Sequence, residues 1–164
     1  MTLTLSLTVE LLLLITVANG APVLVTRLLD ERLSWPVDGG IRLWDGRPLF
    51  GASKTVRGVI SGIVVTALVA AAFDYPWQLG MLFGAAAMVG DLFSSFVKRR
   101  LGIQSSGQAM GLDQIPESLF PLLACYGYLG LDPLSVVLLV LLFTLGTLIA
   151  SPVMYWLGIR KRPY

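Results

Sequence analysis

Long uncharged runs of apolar residues constrain the fold of this chain more than any other feature of its sequence. The 12 basic and 10 acidic side chains are gathered into a few clusters between those runs. A soluble domain of 164 residues would spread its charges over its surface, and the mean hydropathy of +0.78 is too high for such a domain. The pattern therefore predicts an all-α protein that is embedded in a membrane.

Five runs approach the length of about 20 mostly apolar residues that a spanning helix needs. They predict one integral-membrane domain, residues 1–164, whose five transmembrane helices cover 3–26, 56–73, 77–97, 115–131 and 134–157. The fourth run is the weakest, because its uncharged stretch begins only after Glu117 and two prolines, Pro116 and Pro121, lie near its start. A re-entrant segment is the alternative there. The first run is interpreted as an uncleaved anchor, since its only flanking basic residue, Arg27, follows it.

The distribution of basic residues favours five crossings over four. Short cytoplasmic loops carry an excess of Lys and Arg, and all twelve basic residues lie near the first, third and last predicted connections or ends. Five crossings put every cation on one side, with the N-terminus outside and the C-terminus in the cytoplasm. Two cytoplasmic loops, 27–54 and 98–114, then share one compartment and are expected to form one site. Four crossings would leave Arg160, Lys161 and Arg162 outside.

The rest of the composition excludes several kinds of function. A net charge of +2 argues against a nucleic-acid-binding protein. The chain has no histidine and a single cysteine, Cys125, so it cannot build a metal–imidazole site, a His-dependent triad or an intrachain disulfide by itself. We interpret Cys125 as a packing residue.

The first cytoplasmic loop combines glycines with cations, a composition that suits phosphate oxygens. These residues are Gly39, Gly40, Gly46, Gly51, Arg42, Arg47 and Lys54. A membrane-surface loop attracted to anionic lipid would have the same composition. Trp35 and Trp44 of this loop are suited either to stacking on a nucleobase or to lying on the membrane surface.

The start of the second span offers another place for a phosphate group. Lys54 and Arg57 are three residues apart, which makes them neighbours on one helical face, and Ser53 is a candidate N-cap. The free N–H groups of a helix start, its dipole and nearby cations all attract the same anion. Anchoring at the membrane interface by snorkelling cations is the alternative.

An acidic residue inside the third span is the clearest sign of a functional site. Asp91 lies roughly 10 Å, about two helical turns, deeper than Lys98, where an ionised carboxylate is costly and needs a partner. A polar stripe at helical spacing leads from it towards the cytosol: Asp91, Ser94, Ser95 and Lys98. Asp113 lies at the entrance of the fourth span. Two such carboxylates are suited to Mg²⁺, which takes one or two carboxylates together with substrate phosphates and water.

The remaining intramembrane features are expected to be structural. Asn19 and Pro22 predict a kinked first helix that faces a cavity. Glu10 lies towards the outer side, where it should snorkel or pair with a helix neighbour. Small residues four apart, as in the pair Gly80 and Gly84 and the pair Gly146 and Ala150, predict close helix packing.

Several of these residues together resemble a known family, the CTP-dependent cytidylyltransferases of the CDP-archaeol synthase type, which are small five-span membrane enzymes. The resemblance spans most of the chain and rests on the order and spacing of five motifs. They are Ala18-Asn19 followed by Pro22, Asp45-Gly46-Arg47, Lys54-Thr55-Val56-Arg57-Gly58, Gly90-Asp91 running to Ser95-Phe96-Val97-Lys98-Arg99-Arg100-Leu101-Gly102, and Leu112-Asp113-Gln114. The chain departs from the family at Gly51-Ala52-Ser53, where many relatives carry an acidic or Gly-Asp-Gly stretch.

The resemblance implies transfer of CMP from CTP to a membrane lipid phosphomonoester, such as a geranylgeranyl-ether glycerol phosphate, with release of pyrophosphate. Such a phosphate is already anionic, so positioning and charge neutralisation suffice for catalysis. The implied roles are Mg²⁺ binding for Asp91 and Asp113, phosphate neutralisation for Lys54, Arg57, Lys98 and Arg99, and orienting hydrogen bonds or nucleotide contacts for Asn19, Ser53, Thr55 and Ser95. Asp91, Lys98, Asp113 and Lys54 are the implied catalytic set.

Two other functions fit the same residues. A related enzyme with a diacylglycerol phosphate substrate would make CDP-diacylglycerol, and the sequence does not separate the two lipid tails. A non-enzymatic subunit that gathers anionic lipids would show broad, salt-sensitive binding without a nucleotide preference. The expected partners are CTP, a lipid phosphate and the bilayer, without nucleic acid, and the oligomeric state is left open.

Overall fold

A computed structural model of the chain describes residues 3–29, 32–105, 107 and 109–156, and the side chains of 151–156 lie outside the description. The helices in this part are α1 Leu5–Leu29, α2 Val56–Ala72, α3 Trp77–Arg100, α4 Gln114–Ala124, α5 Tyr126–Leu129 and α6 Pro133–Trp156. The described residues form no strand, only the isolated bridges Pro36–Thr55 and Arg42–Pro48. The all-α prediction is therefore confirmed. Arg160, Lys161 and Arg162, which entered the charge argument, lie outside the described residues.

Three of the described helices are long and apolar enough to cross a membrane. They are α1, α3 and the Pro133–Ala150 part of α6. Helix α2 is also apolar, but its 17 residues extend only about 25 Å, slightly less than the roughly 30 Å hydrocarbon core of a bilayer. Helix α4 is shorter, with 11 residues. The prediction of a membrane protein is supported, whereas the count of five crossings stays a prediction.

The predicted fourth span, 115–131, is not one continuous helix. It is divided at Cys125, whose φ of −102° and ψ of 8° depart from helical values, into α4 and α5. Pro121, one turn before the break, has no N–H to donate to the carbonyl of Glu117. Helix α5 then ends at Gly130 with a left-handed φ of 58°, a conformation that glycine adopts readily. The predicted single span is therefore two shorter helices in the structure.

The first and third helices extend beyond their predicted ends. Helix α1 runs to Leu29 instead of residue 26, and α3 runs to Arg100 instead of residue 97. The prediction placed each end where the apolar run ends, but a helix continues for as long as its polar groups find partners. Of the three cations added to α3, two are buried, since Lys98 is 7% exposed and Arg99 is 4% exposed.

Helix α3 is the centre of the bundle and packs against α1, α2 and α4. Close approach of α2 and α3 depends on glycine, because a Cβ atom at Gly80 would lie 2.7 Å from the Cα atom of Ala67 and one at Gly84 would lie 2.9 Å from that of Ile63. This confirms the predicted packing role of this glycine pair. Gly146 has no described neighbour within 4 Å of such a position, so that pair makes no close helix contact within the described chain.

Helix α3 buries apolar side chains in its first half and polar side chains in its second half, so the polar end of the bundle lies around its second half. Its first half buries Phe83 and Ala87, while its second half buries Ser94 and Ser95. The larger apolar core lies around the first half, between α1, α4 and α6. The second half is thus left for polar partners from other segments.

At the apolar end, Glu10 has the kind of partners that the sequence predicts. Its carboxylate accepts hydrogen bonds from Ser6 Oγ and Tyr75 Oη, each at 2.7 Å. Burial, together with the hydrogen bond to Glu10, raises the pKa of Tyr75 to about 12. The phenol therefore stays protonated and keeps donating to Glu10 at ordinary pH. This contact ties α1 to the connection between α2 and α3.

Candidate functional site

The two polar segments, 27–54 and 98–114, meet at the same end of the bundle. Ser105 Oγ lies 3.1 Å from Ser53 Oγ, and Asp45 Oδ1 lies 2.6 Å from Nη1 of Arg100. The predicted convergence of these segments is therefore confirmed within the described chain.

The Asp45-Gly46-Arg47 motif holds the first segment against the end of α3. Arg47 Nη1 donates to the carbonyl of Arg100 at 2.5 Å and to that of Arg99 at 3.3 Å. The last carbonyls of a helix have no partner within the helix, so Arg47 caps α3. In return, Arg100 Nη2 donates to the carbonyl of Pro48 at 2.6 Å. The motif thus has a visible structural role that joins the two segments.

Asp38 organises the first polar segment, a role that the sequence analysis missed. The residue is 5% exposed, and its carboxylate accepts from the backbone N–H groups of Gly40 at 3.0 Å, Phe50 at 2.9 Å and Gly51 at 3.0 Å. Burial alone would raise the pKa of Asp38, but the backbone donors outweigh it and hold that pKa below its ordinary value. An aspartate two residues before a glycine is a typical turn signal and could have identified it.

The start of α2 differs from the prediction. Its N-cap is Thr55, whose side chain accepts from the N–H of Gly58 at 3.2 Å, so the expectation of Ser53 as the cap is wrong. Lys54 precedes the helix, and helical spacing does not place it beside Arg57. The two cations have different partners, since Lys54 reaches Asp91 and Arg57 donates to the carbonyl of Arg32.

Asp91 has the cationic partner that its depth requires. Lys54 Nζ lies 2.5 Å from Oδ1 and 2.6 Å from Oδ2 of Asp91. The side chains are 22% and 20% exposed, so little water reaches the pair. On the same stripe, Ser94 donates to the backbone carbonyl of Asp91 at 2.9 Å, and Ser95 is 2% exposed.

A second lysine–aspartate pair joins α3 to the start of α4. Lys98 Nζ lies 2.5 Å from Oδ1 of Asp113 and donates to the carbonyl of Gly107 at 3.0 Å. The other oxygen of Asp113 accepts from the N–H of Ala109 at 3.0 Å. The two lysine–aspartate pairs therefore join the first polar segment, α3 and the start of α4 at this end of the bundle.

Arg99 lies beside these pairs without a carboxylate in ion-pair contact among the described residues. Its Nη2 atom donates to the carbonyl of Gln104 at 2.7 Å, and within the described chain its buried Nε atom has no hydrogen-bond partner. A buried guanidinium with spare donors is suited to an anion.

Glu117 belongs to this cluster, although in the sequence it only marks where the fourth uncharged run begins. Its carboxyl group is within hydrogen-bonding range of that of Asp91 and within electrostatic range of Lys54 and Asp113. The signal was its spacing, because Asp113 and Glu117 are four residues apart and share one face of α4.

Other predicted site residues are not brought into this cluster by any described contact. The Asn19 amide donates to the carbonyl of Ile15 within its own helix at 2.9 Å, and Ser53 contacts Ser105. Trp35 is 69% exposed and Trp44 is 88% exposed. Their predicted roles stay predictions.

The donor set is suited to Mg²⁺ on chemical grounds. In the described part of the chain, no three residues of metal-ligating type stand in a common metal-binding geometry. The carboxyl groups of Asp91 and Glu117 are nevertheless within hydrogen-bonding range of each other. Asp113 Oδ1 is buried and lacks a well-oriented hydrogen bond among the described residues, although Lys98 Nζ lies 2.5 Å away. Mg²⁺ needs only one or two carboxylates when phosphates and water complete its shell.

An open apolar cleft of about 370 Å³ lies at the start of α4, where its lining residues flank Asp113 in the sequence. It is lined by Met110, Gly111, Leu112, Ile115 and Pro116. Met110 is 78% exposed and Ile115 is 45% exposed, so the cleft is open towards the surroundings of the bundle. The site therefore combines charged groups with a neighbouring apolar surface.

Comparisons with known proteins agree on one family. A family model described as CarS-like CDP-archaeol synthase matches residues 3–164. A CDP-archaeol synthase of Hyperthermus butylicus is 40% identical over 115 residues, which cover 66% of this chain and 66% of that protein. One of Saccharolobus solfataricus is 38% identical over 60% of this chain and 59% of that protein. One of Thermococcus kodakarensis is 32% identical over 85% of this chain and 80% of that protein.

The alignments thus span less than two thirds of the lengths of the first two relatives, 66% and 59%. A solved structure, described as that of an intramembrane enzyme for archaeal membrane lipids biosynthesis, is similar over a larger part. It is 31% identical, with a TM-score of 0.72, and the match covers 90% of this chain and 94% of that one. Since the family model matches nearly the whole sequence, the chain belongs to the CDP-archaeol synthase family.

Proposed function

We propose that this chain is a CTP-dependent cytidylyltransferase that transfers CMP to an archaeal ether-lipid phosphate and releases pyrophosphate. The names of its relatives support this reaction. The observation that carries the proposal is the pair of lysine–aspartate contacts, Lys54 with Asp91 and Lys98 with Asp113, beneath two interlocked polar segments. A membrane site built from such groups is suited to an anionic substrate and a divalent cation.

In this reaction an oxygen of the lipid phosphomonoester attacks the α-phosphorus of CTP, and the bond to pyrophosphate breaks. No protein base is needed, because the attacking oxygen is already anionic. Lys54, Lys98 and Arg99 neutralise phosphate charge and hold the two reactants in line. Asp91 and Asp113 hold Mg²⁺, which supplies further positive charge against the triphosphate when bound.

The membrane arrangement that we propose has five crossings, with α1 entering from outside and the polar segments in the cytoplasm. The contact between segments 27–54 and 98–114 supports it, because both then belong to one compartment. The charge distribution supports the cytoplasmic side. CTP is a cytosolic nucleotide, so this orientation gives it access.

The apolar cleft at Met110, Leu112 and Ile115 is the proposed place for the part of the lipid next to its phosphate. It adjoins Asp113, so a lipid whose chain lies in the cleft would present its headgroup to the ion pairs. A cleft lined by apolar groups favours hydrocarbon through the hydrophobic effect.

The test is incubation of the purified chain with labelled CTP, Mg²⁺ and a panel of lipid phosphates. We expect lipid-linked CMP with the isoprenoid ether lipid, and much less product when ATP or GTP replaces CTP. The panel includes phosphatidate, which separates the two tail chemistries. Salt-sensitive lipid binding with no transfer from any nucleotide would contradict the proposal and favour a non-enzymatic lipid-binding subunit.

A further inference from the structure

Part of the first polar segment, residues 41–49, forms a tight hairpin. The N–H of Leu49 donates to the carbonyl of Ile41 at 2.9 Å, and the N–H of Gly46 donates to the carbonyl of Leu43 at 2.9 Å. The second bond closes a turn whose first central residue is Trp44. The hairpin 41–49 therefore holds a tryptophan at its tip.

Trp44 is exposed although its backbone is fixed. The residue is 88% exposed, and turn corners are usually occupied by small or polar residues. Its neighbour in the sequence, Asp45, pairs with Arg100 at the end of α3, and Arg100 is followed by Leu101, which is 66% exposed. Large apolar side chains on both sides of an ion pair are typical of an interaction surface.

The hairpin is attached to the outer face of α3. Arg100 shares a helical face with Val89, Phe93 and Phe96, and its guanidinium lies 5.5 Å from the ring centre of Phe96. Val89 and Phe93 are exposed, so in a membrane this face of α3 borders lipid. The hairpin thus adjoins the lipid-facing side of the bundle.

The same helical geometry separates the hairpin from the two lysine–aspartate pairs. Asp91 and Lys98 are seven residues apart and lie on one side of α3, whereas Arg100, nine residues after Asp91, lies about half a turn around the helix axis. A nucleotide bound at the lysine–aspartate pairs would therefore lie across α3 from the hairpin. This favours a lipid partner for Trp44 over a nucleobase.

The length of α3 gives the depth of the hairpin. Helix α3 has 24 residues and is about 36 Å long, which exceeds the roughly 30 Å hydrocarbon core of a bilayer. Its last turn therefore reaches the headgroup layer. Arg47 donates to the carbonyls of Arg99 and Arg100, so the hairpin lies at this depth, where tryptophan is enriched in membrane proteins.

The hairpin also carries a surplus of positive charge. Arg42 and Arg47 are exposed, and the one acidic residue between them, Asp45, is already paired with Arg100. Each of the two arginines donates to backbone carbonyls, but a guanidinium has five N–H donors. The remaining donors are suited to lipid phosphates, which attract basic residues at a membrane surface.

We propose that the hairpin 41–49 is a lipid-binding element, which inserts Trp44 into the headgroup layer of the cytoplasmic leaflet and binds anionic lipid phosphates through Arg42 and Arg47. The apolar ring enters the interface, and the arginines lie beside it among the phosphates. The proposal uses the membrane arrangement proposed above but does not require cytidylyl transfer.

The experiment measures tryptophan fluorescence of the purified full-length chain in anionic lipid nanodiscs that contain a lipid with a spin label on its headgroup. Subtracting the spectrum of Trp44→Phe isolates the emission of Trp44, and Trp44→Tyr repeats the subtraction with a second variant. The matched control is Trp77→Phe, because Trp77 begins α3 at the opposite end and is exposed there. Dissolved N-acetyl-tryptophanamide gives the emission of an indole in water.

We expect the labelled lipid to quench Trp44 to within about twofold of its quenching of Trp77, since both rings lie at an interface. Aqueous iodide should quench Trp44 less than it quenches the dissolved compound. Emission of Trp44 like that of the dissolved compound, without quenching by the labelled lipid, would overturn the proposal.

The role of the arginines is tested by the charge of the lipid. Replacing anionic with zwitterionic lipid removes the attraction to Arg42 and Arg47, so quenching of Trp44 by the labelled lipid should fall by about half. Quenching of Trp77 provides the reference in both lipids. Equal quenching of Trp44 in the two lipids would overturn the assignment of anionic phosphates to the arginines.

Addition of CTP and Mg²⁺ tests the other partner of Trp44, a nucleobase. The emission of Trp44 should not change, and Trp44→Ala should have the same KM for CTP as the unaltered chain. Quenching of Trp44 by CTP and not by the labelled lipid would overturn the proposal in favour of the nucleotide. Lipid quenching of Trp44 in a chain that transfers CMP to no lipid would keep this proposal and reject the proposed function.

Discussion

At the scale of single residues, the cost of burying charge explains which groups meet at the polar end. An ionised carboxylate deep in a helix bundle is stable only beside a cation, and Lys54 fills that role for Asp91. Removing one partner of a fully buried pair costs about 3–5 kcal/mol. Both side chains here are about one fifth exposed, so the cost is smaller and single variants should remain folded.

The first prediction concerns Asp91→Asn. We expect CMP transfer to fall by at least about a hundredfold, because the variant loses a carboxylate that is proposed to hold Mg²⁺ against the triphosphate, while the protein stays in the membrane fraction. The control is Asp74→Asn, an exposed position with a φ of 62° that asparagine also tolerates. Normal transfer by Asp91→Asn would remove Asp91 from the mechanism.

The second prediction concerns pH and Asp38. Because its pKa in the folded protein lies below the ordinary value of 3.8, the ionised carboxylate stabilises the first polar segment above that value. The stabilisation is lost as the pH falls through the folded pKa. Relative to cleavage of an unfolded reference peptide by pepsin at the same pH, this segment should be cut faster in Asp38→Asn than in the unaltered chain at about pH 5, and the difference should shrink as the pH drops below about 3.8. Equal relative cleavage of the two proteins at about pH 5 would contradict the assigned role.

The sequence predicted that a buried acidic residue needs a cationic partner, but it did not predict which residue that partner is. That Asp91 requires a cation follows from its depth in an apolar run, whereas its pairing with Lys54 depends on how α2 and α3 pack. Asp38 and Glu117 were missed for the same reason. Their roles arise from backbone donors and a helix crossing that are distant in sequence.

At the scale of secondary-structure elements, α3 is one helix with two environments. Its first half follows the apolar pattern that the sequence shows. Its last turn is stabilised by side chains from the first polar segment, with Arg47 bound to the carbonyls of Arg99 and Arg100. Apolar periodicity could predict the first half, but the extension to Arg100 depends on this long-range cap.

The third prediction tests that cap. Arg47→Ala should destabilise the last turn of α3 by about 1 kcal/mol, because two carbonyls lose a charged donor. The measurement is amide hydrogen exchange at residues 100–103, which should become faster. Arg42→Ala is the control, since Arg42 donates to the carbonyl of Gly46 within its own segment. Equal exchange in the two variants would show that Arg47 does not hold the end of the helix.

The division of the predicted fourth helix at Cys125 could not be predicted from the sequence. The apolar run from 115 to 131 is long enough for one helix, and hydropathy does not register a backbone interruption. Two prolines lie in this run, but neither of them stands at Cys125, where the backbone leaves helical values. Cys125 itself is 1% exposed, which confirms its predicted packing role.

At the scale of the whole molecule, the two ends of the bundle are stabilised by different interactions. The apolar end is held by the larger hydrophobic core and by the contact of Tyr75 with Glu10. The polar end contains the ion pairs and the two interlocked polar segments. Segregation of this kind follows from the sequence, because the cations are already sorted along the chain.

The fourth prediction concerns the orientation of this bundle. In a Cys125→Ala background, a single cysteine at Trp44 should react with a membrane-impermeant maleimide only after the cells are permeabilised. A single cysteine at Asp74, in the connection between α2 and α3, should react in intact cells. The reverse pattern would invert the proposed orientation, and labelling of both sites from one side would contradict the crossing of α2.

The apolar cleft at the start of α4 has a consequence for how substrate and product travel. Because Met110 and Ile115 leave this cleft exposed, the lipid of the proposed reaction would enter it from its own leaflet without its hydrocarbon chains passing through water. The CDP-lipid product would leave by the same path. Turnover should then follow the fluidity of the surrounding lipid, and slow when the bilayer stiffens.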